Sequence, residues 1–247
     1  MLAQQSLRDI AHVTAGQTLL INGAGGGVGT LGIQLAKRHG IEVTGVDSTE
    51  KLDFLLSVGF DHVIDYSRED FTKTGLGYDV ILDVKTTRSP FAYARTLKPH
   101  GTYVTVGSSM PRLVHCLMFG RWIAKTSNRH IRILGLKLNK GLDGMIQLSE
   151  AGKVVPSIDD IYPLSEVPQA IRRFGEAHHK GKIVIAIRGP RSRVDRGAPR
   201  AVGSIPLRAV STRSRRTPWQ CRAPVASFPR EFYGFSQEHT LCRPRLR

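Results

Sequence analysis

Five glycines fall between Gly23 and Gly29, after a short apolar run and before an amphipathic segment. With so few side chains, the loop can offer a ligand only its backbone, which glycine lets approach closely. The first turn of a helix carries N–H groups without intrahelical partners, and the helix dipole adds partial positive charge at that end. A strand, a tight glycine turn and a helix start therefore make an anion site. The motif reads Ala24-x-Gly26-x-x-Gly29, with alanine in place of the first glycine of the dinucleotide fingerprint. Asp47 follows Gly26 by 21 positions, the spacing of a carboxylate that takes ribose hydroxyls. Ala24, Gly25, Gly26, Gly27, Val28 and Gly29 are thus expected to cradle the pyrophosphate of a dinucleotide. An empty turn and an adenosyl-binding methyltransferase loop are the alternatives, and nothing downstream resembles methyltransferase chemistry.

Such a loop works only if strands and helices hold it. "TLLIN" reads as a buried strand, and Val28, Leu31, Leu35 and Ala36, with Ile33 beside them, as the apolar stripe of the following helix. "EVTGV", "DHVIDY", "YDVILDV", "GTYVTVG" and "RHIRILGL" read as strands. "STEKLDFLLSVG" and "SPFAYARTL" read as helices, and 111–127 shows no single pattern. This alternation predicts an α/β fold of the Rossmann type, a doubly wound parallel sheet with helices on both faces. After residue 141 the pattern changes: "GLDGMIQLSEAG" and "LSEVPQAIRRFGEAHH" read as helices, and "KVVPSI" and "GKIVIAI" as strands.

The formal charge of +16 is unevenly placed. Residues 189–247 hold 13 Arg, no Lys and three acidic residues, without an apolar stripe, and are expected to be a disordered Arg/Pro-rich tail. Its aromatics do not interleave with arginine and no nucleic-acid-binding fold is visible, so nucleic acid is not expected as a partner. A non-native extension, such as a frameshifted reading, fits the abrupt change of composition. Cys116, Cys221 and Cys242 form no CxxC or Cys/His cluster, which argues against a disulfide framework and a zinc site. No apolar stretch is long enough to span a membrane, so a cytoplasmic protein acting on a small molecule is expected.

Together "INGAGGGVGTLGIQLAK", "GFDHVIDYSREDF", "YDVILDV", "GTYVTVG" and "GKIVIAI" resemble the medium-chain dehydrogenase/reductase superfamily. The resemblance is strongest to the zinc-independent quinone oxidoreductase-like and NAD(P)-dependent alcohol dehydrogenase branch. It implies hydride transfer between a nicotinamide and a carbonyl, enone or quinone. Asp47, Ser48, Lys51 and Tyr66 would then surround the adenosine ribose, with Val84, Gly107 and Ser108 near the nicotinamide half. Asp47 favours NAD, whereas Ser48, Lys51 and Tyr66 resemble the NADP pattern; the alternative for Lys51 is a solvated helix residue.

The superfamily places a mostly β catalytic domain before the dinucleotide-binding domain, and only 17 residues precede the first strand here. The resemblance therefore implies a truncated form, with residues 1–17 a linker remnant, 18–140 the Rossmann domain and 141–188 elements that would complete the missing domain. Their unpaired strand edges invite association, such as with a second copy, or disorder. No catalytic acid, base or metal ligand is assigned, which leaves a non-catalytic dinucleotide-binding fragment as the alternative function. His178 and His179, near a helix end, are expected to complement its dipole, Cys116 to be a buried inert thiol, and Lys85 to lie on the surface.

Overall fold

The strands at the centre of the sheet form from apolar runs covered on both sides, and the strand His130–Ile133 at its edge is only half-buried. In the computed structural model, which describes residues 1–187, the six strands of this sheet are β1 (Thr18–Asn22), β2 (Glu42–Asp47), β3 (His62–Asp65), β4 (Tyr78–Asp83), β5 (Leu97–Thr105) and β6 (His130–Ile133). All pair in parallel, in the order β3-β2-β1-β4-β5-β6. This is the doubly wound arrangement expected from the alternation. The order reverses between β1 and β4, and the glycine loop leaves the carboxyl end of β1 at that point. Crevices outside the carboxyl ends at such a reversal are where open α/β sheets take ligands.

Alternate residues of the central strands feed two cores. Leu19, Ile21, Val43, Val80 and Leu82 pack with Leu7, Ile33, Ala36 and Leu55 on one face. That face is covered by α1 (Leu2–Gln4, continued in wider turns to Ile10), α2 (Gly29–Lys37) and α3 (Leu52–Ser57). Leu20, Val46, Ile64 and Ile81 pack with Phe71, Tyr93 and Tyr103 on the other, beneath α4 (Pro90–Thr96). Parallel strands buried on both faces give the continuous apolar runs seen in β1 and β4.

Several local expectations need correcting. In α2 the fully buried positions are Gly29, Thr30, Gly32, Ile33 and Ala36, whereas Leu31 and Leu35 are only half-buried. The small residues let the helix lie close to the sheet. Residues 111–127 belong to an 18-residue helix, α5 (Met110–Ser127), which ends on Asn128 in the left-handed region. It buries Cys116, Gly120 and Ile123 but leaves Val114, Leu117, Met118 and Trp122 exposed, so two apolar faces blur the periodicity.

"KVVPSI" is not a strand; the strand is β7 (Ile158–Pro163). It pairs in parallel with β8 (Lys182–Ala186), and α7 (Val167–Gly175) joins them after α6 (Leu142–Glu150). The described residues fall in one compact unit, and the expected tail at 189–247 lies outside them. No helix among the described residues is long and apolar enough to cross a membrane.

Candidate functional site

The loop after β1 is held by its neighbours. The N–H groups of Gly23 and Ala24 donate to the Val46 carbonyl at 3.0 and 3.2 Å, tying the loop to β2. Gly23 adopts φ +82°, a left-handed turn that glycine enters without penalty. A Cβ on Gly29 would lie 2.2 Å from the Ala24 carbonyl oxygen, so helix and loop touch backbone to backbone. On Gly25 it would lie 2.7 Å from Lys51 Cδ, and on Gly27 2.4 Å from Lys182 Cε. On Gly26 it would meet nothing nearer than the Gly23 carbonyl at 3.6 Å. Three glycines therefore admit the protein's own atoms, and Gly26 faces open space.

No side chain caps the start of α2. Among the described residues nothing accepts a hydrogen bond from the Val28 or Gly29 N–H. Two free amides and the helix dipole thus meet beside the open face of Gly26, which is what an oxyanion requires.

The residues expected at the ribose do gather here. Asp47 is 5% exposed; its Oδ2 accepts from the Gly25 N–H at 2.7 Å and its Oδ1 from the Ser48 N–H at 2.9 Å. Lys51 Nζ lies 3.6 Å from Asp47 Oδ1, and Lys51 is also 5% exposed. Lys51 is therefore not a solvated helix residue but the partner of a buried carboxylate. The Tyr66 N–H donates to the Asp47 carbonyl at 3.2 Å, while its ring stands half in solvent.

At the carboxyl ends of β4 and β5, Val84 packs against the loop, its Cβ 3.2 Å from where a Cβ on Gly23 would sit. Its N–H donates to the Asn22 carbonyl at 3.0 Å. Gly107 is exposed beside Ser108, whose hydroxyl oxygen is buried without a partner. Lys85 is exposed, as expected, and lies along the same edge.

Beneath this edge is a buried polar cluster centred on Asp83, whose side-chain partners sequence reasoning missed. Asp83 is fully buried. Its Oδ1 accepts from Asn22 Nδ2 (2.9 Å), the Lys85 N–H (3.0 Å) and the Thr86 N–H (2.8 Å), and its Oδ2 from the Tyr103 hydroxyl (2.8 Å). Tyr103 stacks on Tyr93 with ring centroids 4.3 Å apart. Burial first, and the Asp83 charge second, push both phenols well above their ordinary pKa, so both stay neutral; Tyr103 donates to Asp83, and the Tyr93 hydroxyl accepts from the Arg88 N–H. The one sequence signal was an acid ending an apolar parallel strand, where burial demands partners.

The third wall comes from far along the chain. The Gly181 N–H donates to the Gly25 carbonyl at 2.7 Å, and Gly26 and Gly181 form a parallel bridge. Lys182 is thereby laid over Gly27. His178 and His179 follow the end of α7 but act elsewhere than on its dipole. His178 Nδ1 lies 3.2 Å from Glu50 Oε2, and His179 stacks on Phe174 with its Nδ1 buried and unpartnered. Burial, then the charge of Lys51, lowers the His179 pKa. Cys116 is buried and burial raises its thiol pKa, in keeping with an inert thiol. Among the described residues no three His, Cys, Asp or Glu side chains could hold a metal ion.

Comparison with known proteins agrees with this fold. Residues 58–185 match the zinc-binding dehydrogenase family, just over half of the chain. The mitochondrial NAD(P)H oxidoreductase RTN4IP1 of Mus musculus is 33% identical over an alignment of 191 residues that covers 70% of this chain and 48% of that protein. The zinc-type alcohol dehydrogenase-like protein C16A3.02c of Schizosaccharomyces pombe is 30% identical over an alignment of 183 residues that covers 70% of this chain and 52% of that protein. The quinone oxidoreductase of Coxiella burnetii superposes with a TM-score of 0.64 at 28% identity, covering 76% of this chain and 58% of that one. The chain thus spans about half the length of the curated relatives it matches. It belongs to the zinc-binding dehydrogenases, within the medium-chain dehydrogenase/reductase superfamily.

Proposed function

We propose that this chain binds a nicotinamide dinucleotide and serves as the cofactor-holding part of an NAD(P)-dependent oxidoreductase acting on a carbonyl, enone or quinone. The observation that carries the reading is the uncapped start of α2, with the free Val28 and Gly29 amides beside the open face of Gly26 at the sheet's reversal point. The orphaned Ser108 hydroxyl and His179 Nδ1 at the same edge also fit a polar ligand.

In this reading Ala24–Gly29 hold the pyrophosphate, with Lys182 as a cation above Gly27. Asp47, Ser48, Lys51 and Tyr66 surround the adenosine ribose, and Val84, Gly107 and Ser108 receive the nicotinamide half. When bound, the nicotinamide supplies or accepts the hydride; the chain's residues bind and orient it. The zinc in the family's description finds no ligand set among the described residues, and no step uses it.

NADP is the favoured cofactor. The Asp47 carboxylate is already compensated by two amides and Lys51, which leaves the Lys51 cation at the position where a 2′-phosphate would lie. A second reading, a domain that holds cofactor without turnover, is supported by the want of an assigned acid or base among the described residues.

Calorimetric titration of the full chain with NADPH and NADH tests the proposal. NADPH is expected to bind, Gly26→Asp to abolish binding while leaving the circular dichroism spectrum intact, and Lys51→Ala to weaken NADPH about tenfold more than NADH. A folded chain that binds neither dinucleotide would sink the reading.

A further inference from the structure

Thr86 is a β-branched residue at φ +44°, in the left-handed region such residues avoid. It lies in the turn after β4, almost fully buried, and three groups over-determine its conformation. Its N–H donates to Asp83 Oδ1 at 2.8 Å. Its hydroxyl is 2.7 Å from the Thr105 hydroxyl and donates to the Gly107 carbonyl at 3.1 Å. Thr105 Oγ1 reaches the same carbonyl at 3.2 Å. Strain retained in this way marks a place where the surrounding structure insists on one backbone arrangement.

The consequence lies one peptide further on. In a trans peptide the carbonyl and the next N–H point in opposite directions. The Thr86 hydroxyl, which accepts from Thr105 Oγ1, draws the Gly107 carbonyl inward, so the Ser108 N–H faces outward at the carboxyl edge of the sheet. Among the described residues nothing accepts a hydrogen bond from it. Asp83 fixes Thr86, Thr86 fixes the Gly107–Ser108 plane, and that plane presents a donor where β4 and β5 end.

We propose that Thr86 is a positioning residue: its hydroxyl locks the Gly107–Ser108 peptide so that the Ser108 N–H is preset to receive an oxygen of the dinucleotide's nicotinamide half. This rests on the cofactor reading above, in which the edge of β4 and β5 takes that half. Presetting matters because a donor held in place spends no binding energy on being ordered.

The test uses the full chain and two probes, NADPH and 2′-phospho-ADP-ribose, the second lacking the nicotinamide ring. Thr86→Val, which keeps the shape and loses the hydroxyl, is expected to weaken NADPH about tenfold and leave 2′-phospho-ADP-ribose unchanged. Thr86→Ser, which restores the hydroxyl, is expected to recover most of the loss. Equal weakening of both probes would show a merely structural role and overturn the proposal, as would an unchanged NADPH affinity. If the wild-type chain binds neither probe, the cofactor reading itself has failed. Backbone amide chemical shifts then judge the strut, and unaltered Gly107 and Ser108 shifts in Thr86→Val would overturn it. Should Thr86→Val not fold, Thr105→Val, which removes the hydroxyl that holds Thr86 Oγ1 in place, is read in the same way.

Discussion

At the glycine loop, structure is made by leaving side chains out; at the carboxyl ends of β4 and β5 it is made by packing them in. Between Gly23 and Gly29 the neighbours come within reach because no Cβ stands between them, and the contacts run from one backbone or one long aliphatic stem to another. Around Asp83 the backbone is held by side chains from three strands, with Asn22, Tyr103 and Thr105 converging on one carboxylate and one threonine. Both regions end in outward-facing amides, Val28 and Gly29 in the first and Ser108 in the second. A loop built by omission fails when anything is added, and a cluster built by convergence fails when anything is removed.

The largest expected effect breaks the first region from within. Gly29→Ala places a carbon against the Ala24 backbone, which cannot rotate away as a side chain could, so α2 must separate from β1. A loss of about 4 kcal/mol or more is expected. Gly26→Ala, three residues earlier and facing open space, is expected to cost about 0.5 kcal/mol or less in stability. Urea unfolding of the two variants beside the wild type checks the contrast; equal losses would mean that the loop's glycines are not divided between packing and ligand.

How much of each region could be read in the sequence follows from the same difference. The loop was legible because its chemistry is local: glycines at fixed spacing, a strand before, a helix after, and Asp47 at the end of the next strand. The parallel sheet was legible through the alternation of apolar runs. The Asp83 cluster was not, because Asn22, Asp83, Thr86, Tyr103 and Thr105 are spread over three strands and meet only once those strands are in register. Lys51 was named at the ribose, but its burial could not be read for a related reason, since that burial depends on Asp47 and on the absence of a Cβ at Gly25. α5 was hidden by its two apolar faces. β7 was displaced because "KVVPSI" looks the more apolar strand, whereas "IDDIYP" is extended by pairing with β8 and by the Asp159–Arg173 contact at 2.8 Å, neither of which is local.

Removing the hub of the second region is expected to have the next largest effect. Asp83→Ala strips four donors of their acceptor, among them the buried Asn22 amide and the Tyr103 hydroxyl. The buried charge disappears with the carboxylate, which offsets part of the loss, so a net destabilisation of about 2–4 kcal/mol is expected. Asp83→Asn keeps an acceptor oxygen and is expected to lose less. If denaturant midpoints placed the asparagine variant below the alanine variant, the cluster would not be working as an acceptor hub.

The smallest effect is a pH dependence, and it belongs to the segment that roofs both regions. His179 is surrounded by Lys51 and Lys85, with Asp47 and Asp159 also in its field, and burial followed by the Lys51 charge lowers its folded pKa below the ordinary 6.5. Well above that value the ring is neutral in both folded and unfolded chains, and the folded arrangement keeps its full stability. As pH falls through the ordinary histidine range the unfolded chain takes up the proton first, and stability is lost until the folded ring titrates too. His179→Gln removes that proton, so its stability is expected to fall less than the wild type's between about pH 8 and about pH 5. Parallel urea titrations across that range decide the matter. Coincident pH slopes would mean that the orphaned Nδ1 of His179 does not respond to the cations of the site, and the roof could then be treated as packing alone.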